Sequence, residues 1–300
     1  MVNLHLNINN ADDARKFIGE CEASFVKEIN DAIRSITDNH DSRLVMLSGP
    51  TCSGKTTTAR RLTDRITESG YRAIVMSIDD FFLDRNSRNR VDIDAPDYDS
   101  VKAIDLEYFE YFIGRLLRGE SVLIPVYDFT ATARVGYNEY IPHENDIYVF
   151  EGIQAVYPEI TSLLGGKYKS IFISVSDDIS YNGTTLTKNE LRLLRRVVRD
   201  YKFRGATAEF TLHLWEGVRY NEETNIFPNS QNCSVYLNSF LPYEPFIISS
   251  YATPLLKTVP HDSRYRSIAD ELIYKMSSFD SAYFEDSMIP ADSVFREFIG

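Results

Sequence analysis

The chain has little that would take it into or across a membrane. No apolar run approaches the ~20 residues that a spanning helix needs. The opening Met-Val-Asn-Leu-His-Leu-Asn has neither the basic region nor the continuous apolar stretch of a secretory signal. Cysteine is scarce: Cys21, Cys52 and Cys233 are odd in number and far apart, a usage that argues against a disulfide framework and fits a reduced compartment. A soluble, cytoplasmic protein is expected. Positive charge is also in deficit, with 32 Lys and Arg against 44 Asp and Glu and a formal net charge of −12. Nucleic acids and anionic membranes select basic surfaces, so neither is expected as a partner, and any anion site must be a local basic island. The five histidines are scattered and Trp215 is alone, which gives no metal cluster and no stacking platform. Internal repeats and low-complexity linkers are missing too, and a homo-oligomer is left open.

What the chain does have is a stretch around which the rest is organised. Gly49-Pro50-Thr51-Cys52-Ser53-Gly54-Lys55-Thr56 fits G-x-x-x-x-G-K-[ST]. The glycines let the backbone curl so that successive N–H groups and the next helix N-terminus face one anion. Residues 44–47 (Leu-Val-Met-Leu) before it suit a buried parallel strand, and residues 56–69 after it have helical spacing at Ala59, Leu62 and Ile66 until Gly70. Strand, glycine loop, helix predicts a nucleoside triphosphate site. Lys55 would reach the β- and γ-phosphates and the Thr56 hydroxyl would ligate Mg²⁺. Gly49, Thr51, Ser53, Gly54 and Thr57 complete the expected phosphate cradle.

At 300 residues, 43 % apolar and 25 % charged, one large α/β domain can be filled. Residues 14–38 carry Phe17, Ile18, Cys21, Phe25, Ile29, Ile33 and Ile36 at helical spacing. Residues 72–77 read as a strand ending in Ile78-Asp79-Asp80-Phe81-Phe82, and carboxylates at strand C-termini lie where α/β sheets bind ligands. A polar loop over 84–103 precedes a helix that Asp105 caps and Gly119 closes. Residues 122–126 suggest a strand, and 127–141 a hairpin built on Gly136. Residues 147–150 form a further strand ending in Glu151-Gly152, and 168–175 another. Thr187 with Glu190 makes a capping box for a helix to about Tyr201, and Thr207 opens the next. Residues 235–237 suggest a last strand and 264–277 a last helix, with the tail from Met288 to Gly300 draped over the surface. The fold class expected is α/β, a parallel sheet flanked by helices with an inserted substrate cover. Its bounds are a helical lead-in over 1–43, the main domain over 44–260, and a helix and tail over 261–300 packed on it.

Phosphoryl transfer needs a cradle, a metal, a group that orients the attacking oxygen, and positive charge that follows the moving group. Asp79 could accept the proton of a hydroxyl and face Mg²⁺; Glu151 stands where the metal-holding acid belongs. Arg192, Arg195, Arg196, Arg199, Lys202 and Arg204 form a basic island in an acidic chain. Arg192, Arg196 and Arg199 share a helical face, suited to an arginine lid over the triphosphate, with Arg192 assigned to the nucleotide.

With those residues in view, the chain resembles the uridine kinase and phosphoribulokinase family of P-loop kinases over roughly residues 44 to 245. The motifs in order are the glycine loop, Ser-Ile-Asp-Asp-Phe-Phe at 77–82, Tyr98-Asp99 before Ala103-Ile104-Asp105, Pro-Val-Tyr-Asp-Phe at 125–129, Glu151-Gly152, and Arg-Leu-Leu-Arg-Arg-Val-Val-Arg-Asp at 192–200 with Arg204-Gly205. The resemblance implies an ATP- and Mg²⁺-dependent kinase for the 5′-hydroxyl of a nucleoside-like small molecule. It makes Asp79 the general base, Asp99 the ligand of the ribose hydroxyls, and Phe82 and Tyr127 parts of the nucleoside pocket. Arg196, Arg199 and Arg204 become lid arginines beside phosphates and substrate. The stretches Asn225-Ile226-Phe227-Pro228 and Arg296-Glu297-Phe298-Ile299-Gly300 resemble a bacterial branch whose members often carry an extra N-terminal domain, which is not expected here. Well-known pyrimidine kinases of the family have His where Thr132 stands, Arg at Ala206 and Gln at Leu214, so three polar contacts to a base are missing. A kinase for another metabolite or polyol, phosphoribulokinase- or pantothenate kinase-like, is the rival within the class. A nucleotide-binding regulatory protein is the rival outside it, although no Asn-Lys-x-Asp guanine motif is present.

Overall fold

The computed structural model of the chain describes residues 1–37, 42–84, 100–279 and 282–300. The strands are β1 (Val2–Asn3), β2 (Leu44–Ser48), β3 (Arg72–Ser77), β4 (Val122–Asp128), β5 (Ala133–Tyr140), β6 (Asp146–Glu151), β7 (Tyr168–Ser174), β8 (Ile179–Tyr181), β9 (Thr184–Leu186) and β10 (Val235–Asn238). The helices are α1 (Ala11–Thr37), α2 (Lys55–Glu68), α3 (Leu106–Leu117), α4 (Pro158–Thr161), α5 (Lys188–Arg204), α6 (Ala208–Asn221), α7 (Phe227–Ser230), α8 (Glu244–Lys257), α9 (Arg266–Ser277) and α10 (Arg296–Ile299). Five parallel strands make the central sheet in the order β10-β7-β2-β6-β3.

The inner strands are apolar because helices cover both of their faces. Side chains alternate between two cores, as the period of a strand requires. Val45 and Leu47 of β2, with Ile147 and Val149 of β6, join one cluster. Leu44 and Met46, with Tyr148 and Phe150, join the other. The first cluster is closed by α1, α2, α5, α8 and α9; the second by α3 and the antiparallel pair β4–β5.

Four details depart from the sequence reading. Gly136 does not make the hairpin turn: it lies within β5 opposite Val126, beside a bulge at Val126/Tyr127. The turn is made by Asp128, whose Oδ1 accepts from the main-chain N–H of Thr130 and Ala131 at 2.7 and 3.0 Å, and by Thr132 at φ 54°, a left-handed position. Helix α8 went unread because Pro245 and Pro254 interrupt its pattern; Pro245 stands in its first turn, where a missing N–H costs least. The residues of β1 pair with β8. The tail does not drape over the surface, since Val294, Phe295, Phe298 and Ile299 are buried in the first core. Four large apolar side chains within six residues make burial the favourable outcome.

Candidate active site

The glycine loop joins β2 to α2. A Cβ at Gly49 would overlap the Ile173 carbonyl, and one at Gly54 would overlap the Val294 side chain. Gly54 is also the N-cap of α2 at φ 85°, so no other residue fits there without strain. Lys55 Nζ folds back over its own loop, donating to the carbonyls of Gly49 at 2.9 Å and Pro50 at 3.3 Å. Ser53 Oγ is buried in the loop without a hydrogen-bond partner, and a buried orphan hydroxyl inside a cradle of N–H groups is what an anion would satisfy.

Two carboxylates stand beside the loop because of strand order. β6 lies between β2 and β3, and Glu151 at its end is in register with both Leu47 and Ser77. Ser77 Oγ donates to Glu151 Oε1 at 3.4 Å and accepts from Asp79 N–H at 3.3 Å. Asp79 and Asp80 occupy the single 3-10 turn that follows β3. Burial pushes the Glu151 carboxyl above its ordinary pKa; Lys55 opposes this, Glu297 adds to it, and Asp80 adds a smaller push. Burial raises Asp80 as well, offset by the Tyr127 N–H that its Oδ1 accepts at 3.3 Å. That bond ties the hairpin to the turn. Gly152 allows the approach, since a Cβ there would lie 2.7 Å from Ile78 Cβ.

Thr56, Asp79 and Glu151 offer oxygen donors only, which suits Mg²⁺, an ion that keeps waters and takes one or two carboxylates beside substrate phosphates. No group of three His, Cys, Asp or Glu side chains among the described residues is placed to hold a metal, and a Mg²⁺–phosphate site does not require one.

The hairpin side of the site is aromatic. Phe82, Tyr127 and Phe129 meet edge to face with ring centroids 5.2 to 5.9 Å apart. Thr132 Oγ1 turns to the Phe129 carbonyl at 3.4 Å. Asp99 lies outside the described residues. Arg134, which the sequence reading missed, locks this wall. Its guanidinium donates to the Phe81 carbonyl at 3.1 Å, pairs with Asp105 at 3.0 Å and lies over the Tyr108 ring, and its main-chain N–H donates to Asp84 Oδ1 at 2.7 Å. Its place opposite Tyr127 comes from the hairpin register, which a turn expected at Gly136 hides.

The arginine helix α5 begins at the expected capping box of Thr187 and Glu190. Its positive charge divides into two groups. Arg192 and Arg195 are buried braces: Arg192 Nε donates to the Thr51 carbonyl at 3.0 Å and its fork is taken by Glu222, while Arg195 donates to the Cys52 carbonyl at 3.1 Å and pairs with Glu244. Arg192, expected from its helical face to meet the nucleotide, is held here between the Thr51 carbonyl and Glu222, which lies in a π-helical turn. Arg196, Arg199 and Arg204 instead converge on Asp200, at 3.2, 2.6 and 3.7 Å. Burial and then the Arg199 charge push the Arg204 guanidinium down, a sign of crowded cations.

The phosphoribulokinase / uridine kinase family matches residues 44–241, more than half of the chain. The chain belongs to that family. Within this family context, a uridine kinase of Halobacterium salinarum is 30 % identical over 163 residues, 54 % of this chain and 64 % of that protein. Uridine-cytidine kinase C of Dictyostelium discoideum is 25 % identical over 269 residues, 88 % of this chain and 54 % of that protein. Inorganic pyrophosphatase TTM2 of Arabidopsis thaliana is 26 % identical over 229 residues, 76 % of this chain and 30 % of that protein. The chain thus spans less than two thirds of the length of each of these relatives. No helix among the described residues is long and apolar enough to cross a membrane.

Proposed function

We propose that the chain is an ATP- and Mg²⁺-dependent kinase that transfers the γ-phosphoryl group to an alcohol of a small acceptor, with the 5′-hydroxyl of a nucleoside as the leading candidate. One observation supports this reading: the strand order sets Glu151 between the glycine loop and the Asp79 turn, so the residues proposed as phosphate cradle, metal acid and acceptor-side base follow the C-terminal ends of neighbouring strands. Bound Mg²⁺ would offset the charge that develops on the phosphate oxygens. Thr56, Glu151 and Asp79 would hold it. Lys55 would leave the carbonyls of Gly49 and Pro50 for the phosphates. Asp79 would take the hydroxyl proton, and because the transition state is loose, its placement matters more than a raised pKa. Phe82 and Tyr127 would position the acceptor, with Asp99 on its diol. Arg196, Arg199 and Arg204 would move from Asp200 towards the transferred group.

A second reading, a kinase for a different metabolite or polyol, is favoured by the acceptor wall itself. A site that hydrogen-bonds a base rejects analogues because its own polar groups go unpaired. Here Thr132 spends its hydroxyl on Phe129, and Ala206 and Leu214, at positions where the resemblance implies base contacts, bring no polar side-chain atom, so selection would rest on shape. The name of the Arabidopsis relative shows that such a module also occurs in proteins described by other activities.

Coupled ADP release with ATP and Mg²⁺, against ribonucleosides, deoxyribonucleosides, pantothenate and ribulose 5-phosphate, tests both. Turnover on uridine or cytidine that falls ~10²-fold or more in Asp79→Asn supports the nucleoside reading. Turnover only elsewhere in the panel supports the second. ATP binding with no acceptor-stimulated turnover would leave a nucleotide-binding regulatory protein.

A further inference from the structure

The first turn of α2, where a triphosphate would be received, already holds an anion. The main-chain N–H of Thr57 donates to Glu297 Oε2 at 3.1 Å, across 240 residues of sequence. Helix α2 has no acidic residue in its first turn, and its N-cap, Gly54, has no side chain to offer. The free N–H groups and the positive end of the helix dipole are thus met by a carboxylate from elsewhere.

Independent contacts fix the segment that carries this carboxylate. The Val294 side chain fills the space beside Gly54. The Phe298 ring lies 4.8 Å from the Arg195 guanidinium, the same group that braces Cys52. Lys202 Nζ donates to the Ile299 carbonyl. Val294, Phe295, Phe298 and Ile299 are buried, whereas Glu297 is half-buried between them. The backbone is therefore anchored, and the Glu297 side chain is the part able to turn away. Its charge is also felt across the site, because it acts on both Glu151 and Arg199.

We infer that Glu297 is an internal competitor for the nucleotide: its carboxylate occupies the place of a phosphate oxygen at the start of α2 and must leave Thr57 before a nucleotide's phosphates bind. The inference rests on the reading of the loop as a nucleotide site. It differs from simple helix capping in one respect. A cap stabilises the fold and leaves affinity alone, whereas a competitor lowers apparent affinity by the fraction of molecules in which it is seated.

Glu297→Gln keeps the length and one accepting oxygen and removes the charge. Wild type and variant would be titrated by calorimetry with inorganic tripolyphosphate and with ADP, with thermal unfolding as a check on folding and Glu297→Asp as a shorter charged control. Binding of both ligands about tenfold tighter in Glu297→Gln is expected, corresponding to a carboxylate seated in about nine molecules of ten, with Glu297→Asp in between. Equal affinity in wild type and Glu297→Gln, with only the melting temperature lowered, makes Glu297 a cap, overturns the inference and leaves the nucleotide reading standing. Weaker binding in Glu297→Gln overturns it as well, because the carboxylate then supports the ligand. Failure of both proteins to bind either ligand overturns the nucleotide reading and the competitor with it.

Discussion

Arg195 and Glu244 have no side-chain exposure and pair with each other, while Arg195 Nη1 also donates to the Cys52 carbonyl in the glycine loop. A charge in so dry a place is tolerated only while every donor is used, and its two nitrogens Nη1 and Nη2 reach Cys52 and Ser239. Removing one partner leaves the other ionised and alone. Glu244→Ala should therefore cost about 3–5 kcal/mol, read as a melting temperature lower by roughly 10 °C. The double variant Arg195→Met/Glu244→Met should recover a large part of that loss, yet bind nucleotide more weakly because the loop has lost its brace.

Glu151 gives a pH-dependent prediction. Its carboxyl is raised in the folded protein, first by burial, so the native state binds this proton more readily than the unfolded chain does. Stability is then lost as pH rises from the ordinary glutamate range through the raised native value. Glu151→Gln carries no such penalty. It should melt above wild type at pH 7 to 8, by about 2 °C for each kcal/mol relieved, and the gap should close as the pH falls below about 4.3. Melting curves of the ligand-free proteins from pH 4 to 8 measure it; a constant gap would mean that volume, not ionisation, is responsible.

Lys55 is held by two carbonyls of its own loop, so its removal should leave the fold nearly unchanged. Lys55→Ala is expected to melt within a few degrees of wild type while triphosphate affinity, measured by calorimetry, drops at least tenfold. Unchanged affinity would remove Lys55 from the cradle.

Gly152 and Ile78 test the approach of the two strand ends. Gly152→Ala would bring a methyl group to 2.7 Å from Ile78 Cβ, and forced overpacking of this kind costs about 1–3 kcal/mol. The atoms that the new methyl meets are Ile78 Cβ, Cγ1 and Cγ2, at 2.7, 3.1 and 3.5 Å, and Ile78→Val keeps all three. The pair Gly152→Ala/Ile78→Val should accordingly melt no higher than Gly152→Ala alone, and a rescue would show that the clash is not with Ile78.

What was legible in the sequence was local. The glycine loop, the strand periods and the capping box of Thr187 and Glu190 each declare themselves within a dozen residues. The strand order that sets Glu151 beside Leu47 and Ser77 is a tertiary fact, although a parallel sheet was to be expected. Arg195 was read only as part of a basic island, because its partner Glu244 begins a helix whose prolines hide its period. Gly136 suggests a turn from the sequence, whereas Asp128 makes the turn with a side chain that mimics a backbone acceptor. Glu297 could not be found by any local rule, since the amide it meets is 240 residues away. Arg192 shows what a helical-face argument leaves out: its partner Glu222 lies 30 residues further on.

The central sheet parts the apolar interior into two clusters. Cys52, Val294 and Phe298, around the glycine loop, belong to one; Phe81, Phe82 and Tyr127, along the acceptor wall, belong to the other. A substitution that reshapes the wall is absorbed in the smaller cluster without disturbing the packing behind the loop. On the proposed function, small changes around the hairpin would alter which acceptor alcohol fits while the packing behind the glycine loop stays as it is. For protein engineering, the same partition makes the hairpin a natural place to diversify and the far side of the sheet a natural place to leave alone.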